Sequence, residues 1–249
     1  MDAYHALAVS YDRLTNDVNY EATVDFYWQI LDRERLTPAT AVDLACGTGS
    51  VAWLLAQRGL DVIGVDLSEE MLSIAAQKFP DAVRRPRFIC QPLQRLFLPR
   101  GVDLAVCALD SLDYITDPAD CQEAIKRVYR VLNPGGCFIF DVNTPRKLRA
   151  MDGQVFLDED EDVYCVWRGS FNQETNICSY GMDLFQRVGD CWRRSFEEHC
   201  EYAYSAEQLV GYLKKAGFTH IDVYADRSFT APSETEQRIY IKARKGKIK

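Results

Sequence analysis

The sequence predicts an α/β protein, a mostly parallel sheet with helices on both faces, interrupted late in the chain by an antiparallel β-meander. Three observations predict it. An apolar run, Ala41-Val42-Asp43-Leu44-Ala45, enters a glycine turn and leaves as a helical stretch from Ser50 to Ala56. Four more strand-like runs alternate with helical periodicity as far as Asn143, the pattern of a parallel sheet joined by crossover helices. From about Thr144 the texture changes to long β-rich segments separated by turns, before one more helix and two closing strands.

Composition narrows the class further. With 47% hydrophobic and 27% charged residues, the 249-residue chain falls among ordinary globular proteins and is long enough to bury a substantial core. No apolar run approaches the ~20 residues of a membrane span. Met1-Asp2-Ala3-Tyr4-His5 lacks the basic and apolar regions of a secretion signal, so the expected location is the cytoplasm. The nine cysteines show no C-x-x-C spacing and mostly interrupt apolar runs, which predicts reduced buried thiols and no metal centre. A net charge of −8 argues against non-specific attraction to nucleic acid.

The elements follow in order. Residues 2–17 carry Tyr4, Tyr11, Asp12 and Arg13 ahead of a helical face of Tyr20, Val24, Trp28 and Leu31. The two tyrosines either close over a ligand or pack a terminal arm onto the body. After the helix from Ser50, Gly59 supplies the stop, and Asp61 to Asp66 reads as a second buried strand. Ser68 is placed to cap the helix that opens at Glu69. Residues 87–91 and 102–109 are the third and fourth strands, the latter ending in the polar cluster Asp110-Ser111-Leu112-Asp113-Tyr114. Asp117-Pro118 opens a helix that buries Cys121, Ile125, Val128 and Leu132, Asn133-Pro134-Gly135-Gly136 stops it, and residues 137–143 form the fifth strand. The acidic run from Asp158 to Asp162 reads as a solvated loop, and residues 163–171, 177–188 and 191–204 as three meander strands covering the rim of the sheet. Ser205 and Gln208 make a capping box for a helix ending at Gly217, and 219–224 with 237–243 form a terminal hairpin. The expected division is 1–143 for the arm and ligand-binding core, 144–204 for the inserted lid, and 205–249 for the segment that completes the core.

The glycine turn is the ligand cradle. Gly47-Thr48-Gly49-Ser50-Val51-Ala52 satisfies the G-x-G-x-x-G/A fingerprint of dinucleotide-binding folds, so the glycines alone do not choose between a nicotinamide cofactor and S-adenosylmethionine. Asp43 separates them. A buried carboxylate at a strand end needs a cation, which the ammonium and sulfonium of S-adenosylmethionine provide and a pyrophosphate does not. The alternative is an Asp43 that only accepts hydrogen bonds from the loop's amides. Asp66, 17 residues beyond Gly49, falls at the tip of the neighbouring strand, where it can accept the hydroxyls of a ribose.

Asp43-Leu44-Ala45-Cys46-Gly47-Thr48-Gly49 and Gly64-Val65-Asp66-Leu67-Ser68, taken with the element order, resemble the class I S-adenosylmethionine-dependent methyltransferases, whose Rossmann-like sheet has seven strands with the last antiparallel. More narrowly the chain is similar to the bacterial YqeM-like methyltransferases, through Tyr11-Asp12, Asp110-Ser111-Leu112, Val131 to Gly136, Phe140-Asp141-Val142, Asp160-Glu161-Asp162 and Glu198-His199. By that resemblance the loop of Ala45, Gly47 and Gly49 holds the methionine part with Asp43 on the ammonium, and Asp66 binds the ribose. Leu67 and Met71 flank the adenine, Leu109 and Asp110 line the sulfonium side, and Tyr11 with Tyr4 closes the pocket. Where many relatives carry an acidic residue after the third strand, this chain has Gln91-Pro92-Leu93; Leu93 retains a backbone N–H toward the ring, and weaker cofactor affinity is expected.

Methyl transfer from a sulfonium depends chiefly on aligning a nucleophile in line with the methyl in a pocket cleared of water. A base is required only where the acceptor must lose a proton. The candidates are Asp110, Asp113, Asp141, Glu198 and His199, with His199 and Asp110 foremost, although a histidine there serves equally well as a structural hydrogen-bonding partner. A small-molecule acceptor is the first expectation and RNA the second, since Arg84-Arg85-Pro86-Arg87 is the only concentrated basic cluster in the body of the chain. A non-catalytic S-adenosylmethionine-binding module and a nicotinamide oxidoreductase are the remaining alternatives.

Overall fold

The computed structural model describes residues 11–15, 18–78 and 84–247. Tyr4 lies outside them. Helix α1 (Tyr11–Leu14) is one turn long, and α2 (Tyr20–Arg33) starts on Asn19, whose side chain accepts from the Ala22 N–H at 2.9 Å. There follow β1 (Thr40–Leu44), α3 (Ser50–Gln57), β2 (Asp61–Asp66), α4 (Glu69–Lys78), β3 (Arg87–Cys90) and β4 (Val102–Cys107). Then come α5 (Pro118–Val131) and β5 (Leu132–Asn143). Asp117 caps α5 by accepting from Ala119 N–H at 2.7 Å, with Pro118 at the first helical position, where its missing N–H costs nothing.

After β5 the chain forms α6 (Pro145–Ala150), β6 (Val155–Glu159), β7 (Val163–Asn172), β8 (Ile177–Val188) and β9 (Cys191–Tyr202). It ends with α7 (Ala206–Ala216), β10 (Phe218–Ala225) and β11 (Arg238–Lys245). The expected capping box on Ser205 and Gln208 is present, and Gly217 ends α7 at φ 106°, in the left-handed region that favours glycine.

The main sheet has seven strands in the order β10-β11-β5-β4-β1-β2-β3. β1 to β5 run parallel and β11 antiparallel to both of its neighbours, so the last strand is the reversed one. Alternate residues of each strand face opposite layers. Val42, Leu44, Phe138 and Phe140 meet α5 and α7 on one side, and Ala41, Leu104, Val106 and Ile139 meet α2 and α3 on the other. Each of the larger side chains contributes on the order of 1.5–3 kcal/mol of burial. The strand order reverses between β1 and β4, so the loops leaving these two strands diverge and open a crevice at their carboxyl ends.

The second sheet is antiparallel, in the order β6-β7-β8-β9, and has four strands where three were expected. β6 takes Asp158 and Glu159 out of the expected loop: residues 155–159 pair with β7, and the Asp158 carboxylate accepts the Trp167 indole N–H at 3.0 Å. Asp160 then closes the turn by accepting the N–H groups of Asp162 and Val163 at 2.8 and 2.9 Å. An edge strand bearing carboxylates resists pairing with another chain. Tyr11 packs with Trp167, Val163, Cys165, Met182 and Leu184, so this face of the sheet turns toward α1. Tyr202 N–H and Tyr204 Oη donate to the carbonyls of Asp113 and Ile115 at 2.7 and 2.6 Å, which ties the end of β9 to the turn after β4. Among the described residues no helix is long and apolar enough to cross a membrane.

Candidate functional site

The crevice between β1 and β4 holds a cavity of about 40 Å³ lined by Tyr11, Tyr20, Asp43, Gly47, Leu109 and Ser111, among others. Its floor is the turn after β1, where Ala45, Gly47 and Gly49 have φ of 53°, 52° and 78°. Such angles cost a residue with a side chain more than they cost glycine. A Cβ on Gly49 would also lie 3.1 Å from both Ala75 Cβ and the Phe88 ring, so a glycine here lets α4 and β3 close beneath the loop.

Two carboxylates hold this turn. Asp66, at the end of β2, accepts the Gly47 N–H at 2.8 Å with one oxygen and the Ser68 N–H at 2.9 Å with the other. The Leu67 amide adds a third bond, the carboxylate keeps acceptor capacity beyond these three, and burial raises the pKa despite the amides. Asp43 is only 1% exposed, and its Oδ2 meets no donor among the described residues. Burial, opposed by one hydrogen bond from the Ala52 amide and reinforced by the charge of Asp66, pushes its pKa up to about 8. The amide-only reading therefore accounts for part of Asp43, while the orphaned oxygen suits a cationic ligand in the cavity.

The opposite wall is the turn after β4. Leu109 and Asp110 are consecutive left-handed residues, at φ 56° and 53°, a conformation that persists only when its surroundings enforce it. Asp141, fully buried on β5, enforces it by accepting the Leu109 N–H at 2.9 Å and the Asp110 N–H at 3.2 Å. Arg238 on β11 completes the arrangement through bonds to Asp141 and Asp110 and a 3.3 Å contact with Asn143 Oδ1. Burial works against the guanidinium charge, and Asp110 and Asp141 more than offset it. Asp141 is thus committed to backbone and guanidinium, which suits positioning rather than proton transfer.

The remaining sequence candidates divide clearly. Tyr11, Asp43, Ala45, Gly47 and Leu109 come together around the cavity, and Asp110 sits beside it. Leu67 stands exposed at the end of β2, whereas Met71 is buried in α4 with its N–H capped by Ser68 Oγ at 3.2 Å. Gln91 spends its amide on the Phe97 backbone, donating at 3.1 Å and accepting at 3.2 Å, and Leu93 is buried where a 3-10 turn begins. His199 is 1% exposed, with Nε2 3.2 Å from Glu197 Oε2. Its ring lies 6.1 Å from that of Tyr114 and 5.8 Å from that of Trp167. Glu198, one residue earlier on β9, points to the other face and is exposed.

Sequence reasoning missed three contributors. Arg238 lies 128 residues from Asp110 and follows no motif. Thr48 and Lys78 were also missed: Asp12 accepts from Thr48 Oγ1 at 2.7 Å and pairs with Lys78 Nζ at 2.8 Å, and Lys78 also donates to Ser50 Oγ at 2.9 Å. This clasp fastens α1, and with it Tyr11, to the glycine loop.

Residues 41–136 match the family model described as a methyltransferase domain. The chain is 32% identical over 246 residues to the methyltransferase-family protein YqeM of Bacillus subtilis (strain 168), covering 98% of each. A demethylmenaquinone methyltransferase of Thermus thermophilus is 31% identical over 137 residues, 53% of this chain and 60% of that one. The crystal structure of an S-adenosylmethionine-dependent methyltransferase from Clostridium acetobutylicum superposes with a TM-score of 0.88 at 34% identity, covering 98% of this chain and 100% of that chain. With a cavity at the strand-order reversal and an unpaired buried carboxylate beside a glycine turn, these likenesses make the chain a member of the YqeM family of S-adenosylmethionine-dependent methyltransferases.

Proposed function

We propose that the methyl acceptor is a small molecule held between the turn after β4 and the second sheet, with residues 144–204 serving as a substrate-facing lid. The observation that carries this reading is the placement of that sheet. One face packs on Tyr11 of the cavity wall, and β9 is bonded to the backbone of the turn, so the acceptor space is roofed by protein. The demethylmenaquinone methyltransferase among the relatives is named for a small-molecule acceptor, which supports the same reading. RNA fits less well: Arg84 and Arg85 are bonded to the carbonyls of Gly59 and Ala76, and Arg87 pairs with Asp61 at 3.0 Å. Arg87 opens β3, at the opposite end of the sheet from the cavity. Nine unbridged cysteines suit a reducing compartment, and we place the enzyme in the cytoplasm.

The residues present fit S-adenosylmethionine, because the orphaned oxygen of Asp43 suits its ammonium. In this reading Asp43 holds the ammonium, the loop of Ala45, Gly47 and Gly49 holds the methionine part, and Asp66 takes the ribose hydroxyls with its remaining acceptor capacity. Leu67 and Met71 bound the adenine, and Leu93 meets it through its backbone N–H, while Gln91 acts through the Phe97 loop it holds. Leu109 and Asp110 face the sulfonium, and Tyr11 excludes water from above. When bound, the cofactor supplies an activated methyl group. Asp110 and the wall pinned by Asp141 orient the acceptor toward it, and His199 braces Tyr114 and Trp167 behind them.

Incubating the enzyme with methyl-labelled S-adenosylmethionine and a cell extract tests the reading. A labelled species distinct from S-adenosylmethionine is expected in the ultrafiltrate and no label in RNA, with prior ribonuclease digestion making no difference; transfer of label to RNA alone would overturn it. The clasp makes a further prediction. Asp12→Ala is expected to weaken S-adenosylhomocysteine binding by about two- to fivefold, the scale of a partly exposed ion pair. Unchanged affinity by calorimetry would show that α1 does not hold Tyr11 over the cavity.

A further inference from the structure

A second acidic site lies beyond Asp110 from the cofactor cavity. The turn after β4 carries Asp113 and the end of β9 carries Glu201, and both side chains are buried, at 0% and 4% exposure. Asp113 accepts the Asn143 N–H at 2.8 Å with Oδ2, while its Oδ1 meets no donor among the described residues. Among the described residues Glu201 accepts a bond from the Asn143 side-chain amide at 2.9 Å. Buried carboxylates with structural roles are ordinarily satisfied at both oxygens.

The surroundings do not supply the missing charge. On β11, Arg238 is divided between Asp110 and Asp141, and on α6, Lys147 Nζ is bound to Asn143 Oδ1 at 2.8 Å. β8 contributes the neutral Tyr180 phenol and the Cys178 thiol. Among the described residues, Asp110, Asp113, Asp141 and Glu201 thus face two cations, Arg238 and Lys147, for four carboxylates. Among the described residues no group of three or more His, Cys, Asp or Glu is arranged to hold a metal ion.

We propose that Asp113 and Glu201 anchor the acceptor, that the acceptor is a protonated amine, and that Glu201 is the base that takes its proton. The transfer leaves the electron pair of the N–H bond on nitrogen, as a neutral amine able to attack a methyl carbon, and places the proton on a Glu201 oxygen. The inference rests on the methyltransferase reading with a roofed acceptor space. Burial, with the charge of Asp110 adding to it, pushes the Glu201 pKa up to about 8. Burial thus favours the protonated carboxyl in the free protein, and an arriving ammonium displaces that proton to solvent.

Calorimetry on the full chain saturated with S-adenosylhomocysteine tests this, using n-propylammonium as the probe and n-propanol as its uncharged counterpart. At pH 7, in two buffers of different ionisation enthalpy, the ammonium is expected to bind at least about tenfold more tightly, the effect of one pKa unit of differential interaction, with release of close to one proton. Glu201→Gln is expected to lose both the preference and the proton release while keeping its unfolding temperature and S-adenosylhomocysteine affinity. Asp113→Asn is expected to lose part of the preference. Equal binding of alcohol and ammonium, no binding of ammonium, or a Glu201→Gln variant that still releases the proton would overturn the proposal. Failure of S-adenosylhomocysteine to bind the wild-type chain would instead remove the cofactor reading beneath it.

Discussion

Asp43→Asn is expected to weaken S-adenosylmethionine binding by about a hundredfold, the usual scale for removing one partner of a buried charge pair, while leaving the cofactor-free protein at least as stable as before. The two halves of this result have one cause. In the free protein the Asp43 carboxyl is buried and its Oδ2 is unpaired, so it contributes little to folding and awaits a cation. Its folded-state pKa of about 8 lies above the unfolded value. Between about pH 4 and that value the unfolded chain has released a proton the folded chain still holds, so this carboxyl lowers stability progressively as pH rises and levels off above. Ligand binding runs the other way. Pairing with an ammonium favours the ionised form, so affinity should rise by up to about tenfold per pH unit toward pH 8, with one proton released per cofactor bound. Calorimetry from pH 6 to 9 on wild type and Asp43→Asn checks both; an affinity independent of pH, or a variant that binds normally, would place the ammonium elsewhere.

Asp141→Ala is expected to destabilise the protein by about 3–5 kcal/mol, the range for breaking a buried ion pair, and to lower the unfolding temperature by about 10 °C. The substitution leaves Arg238 with Asp110 as its one ion-pair partner among the described residues and removes the acceptor that holds the Leu109 and Asp110 amides in left-handed geometry. Arg238→Met combined with Asp141→Ala should cost less than the sum of the two single changes, because the loss of Arg238 removes the charge that the loss of Asp141 leaves with one partner fewer. Thermal denaturation of the four proteins measures the coupling. Strict additivity would mean that the two side chains do not act as a unit.

The glycine turn and its two carboxylates were legible because their parts are close in sequence and obey local rules. Asp43, Gly47, Gly49 and Asp66 fall on one strand–turn–helix–strand unit, and the cost of burying a lone carboxylate is enough to single out Asp43 from its place in that unit. Helix starts with strong signals, Asp117-Pro118 and Ser205 with Gln208, were legible for the same reason. Thr144-Pro145 carries a comparable signal, but a six-residue helix shows no periodicity to go with it. β6 was hidden because its pairing with β7, not its own composition, turns Val-Phe-Leu-Asp-Glu into a strand. The rim was least legible. Arg238 meets Asp110 across 128 residues and Glu201 meets Asn143 across 58, so neither neighbourhood advertises its partner. Gln91 and Met71 came from the family resemblance, and their surroundings were not legible: the Gln91 amide bonds the Phe97 backbone and Met71 is buried.

Arg238 also orders events in time. The glycine cradle is complete once β1 to β3 have paired, but the wall facing it takes shape only when β11 docks against β5 and delivers the guanidinium. A chain that has not yet docked β11 therefore lacks the guanidinium that joins Asp141 to Asp110 in that wall. Contacts of such sequence separation form slowly and late in folding. Acquisition of the ligand-competent state is thus tied to the docking of β11, and a chain truncated before Arg238 would retain the motif while lacking the geometry it serves.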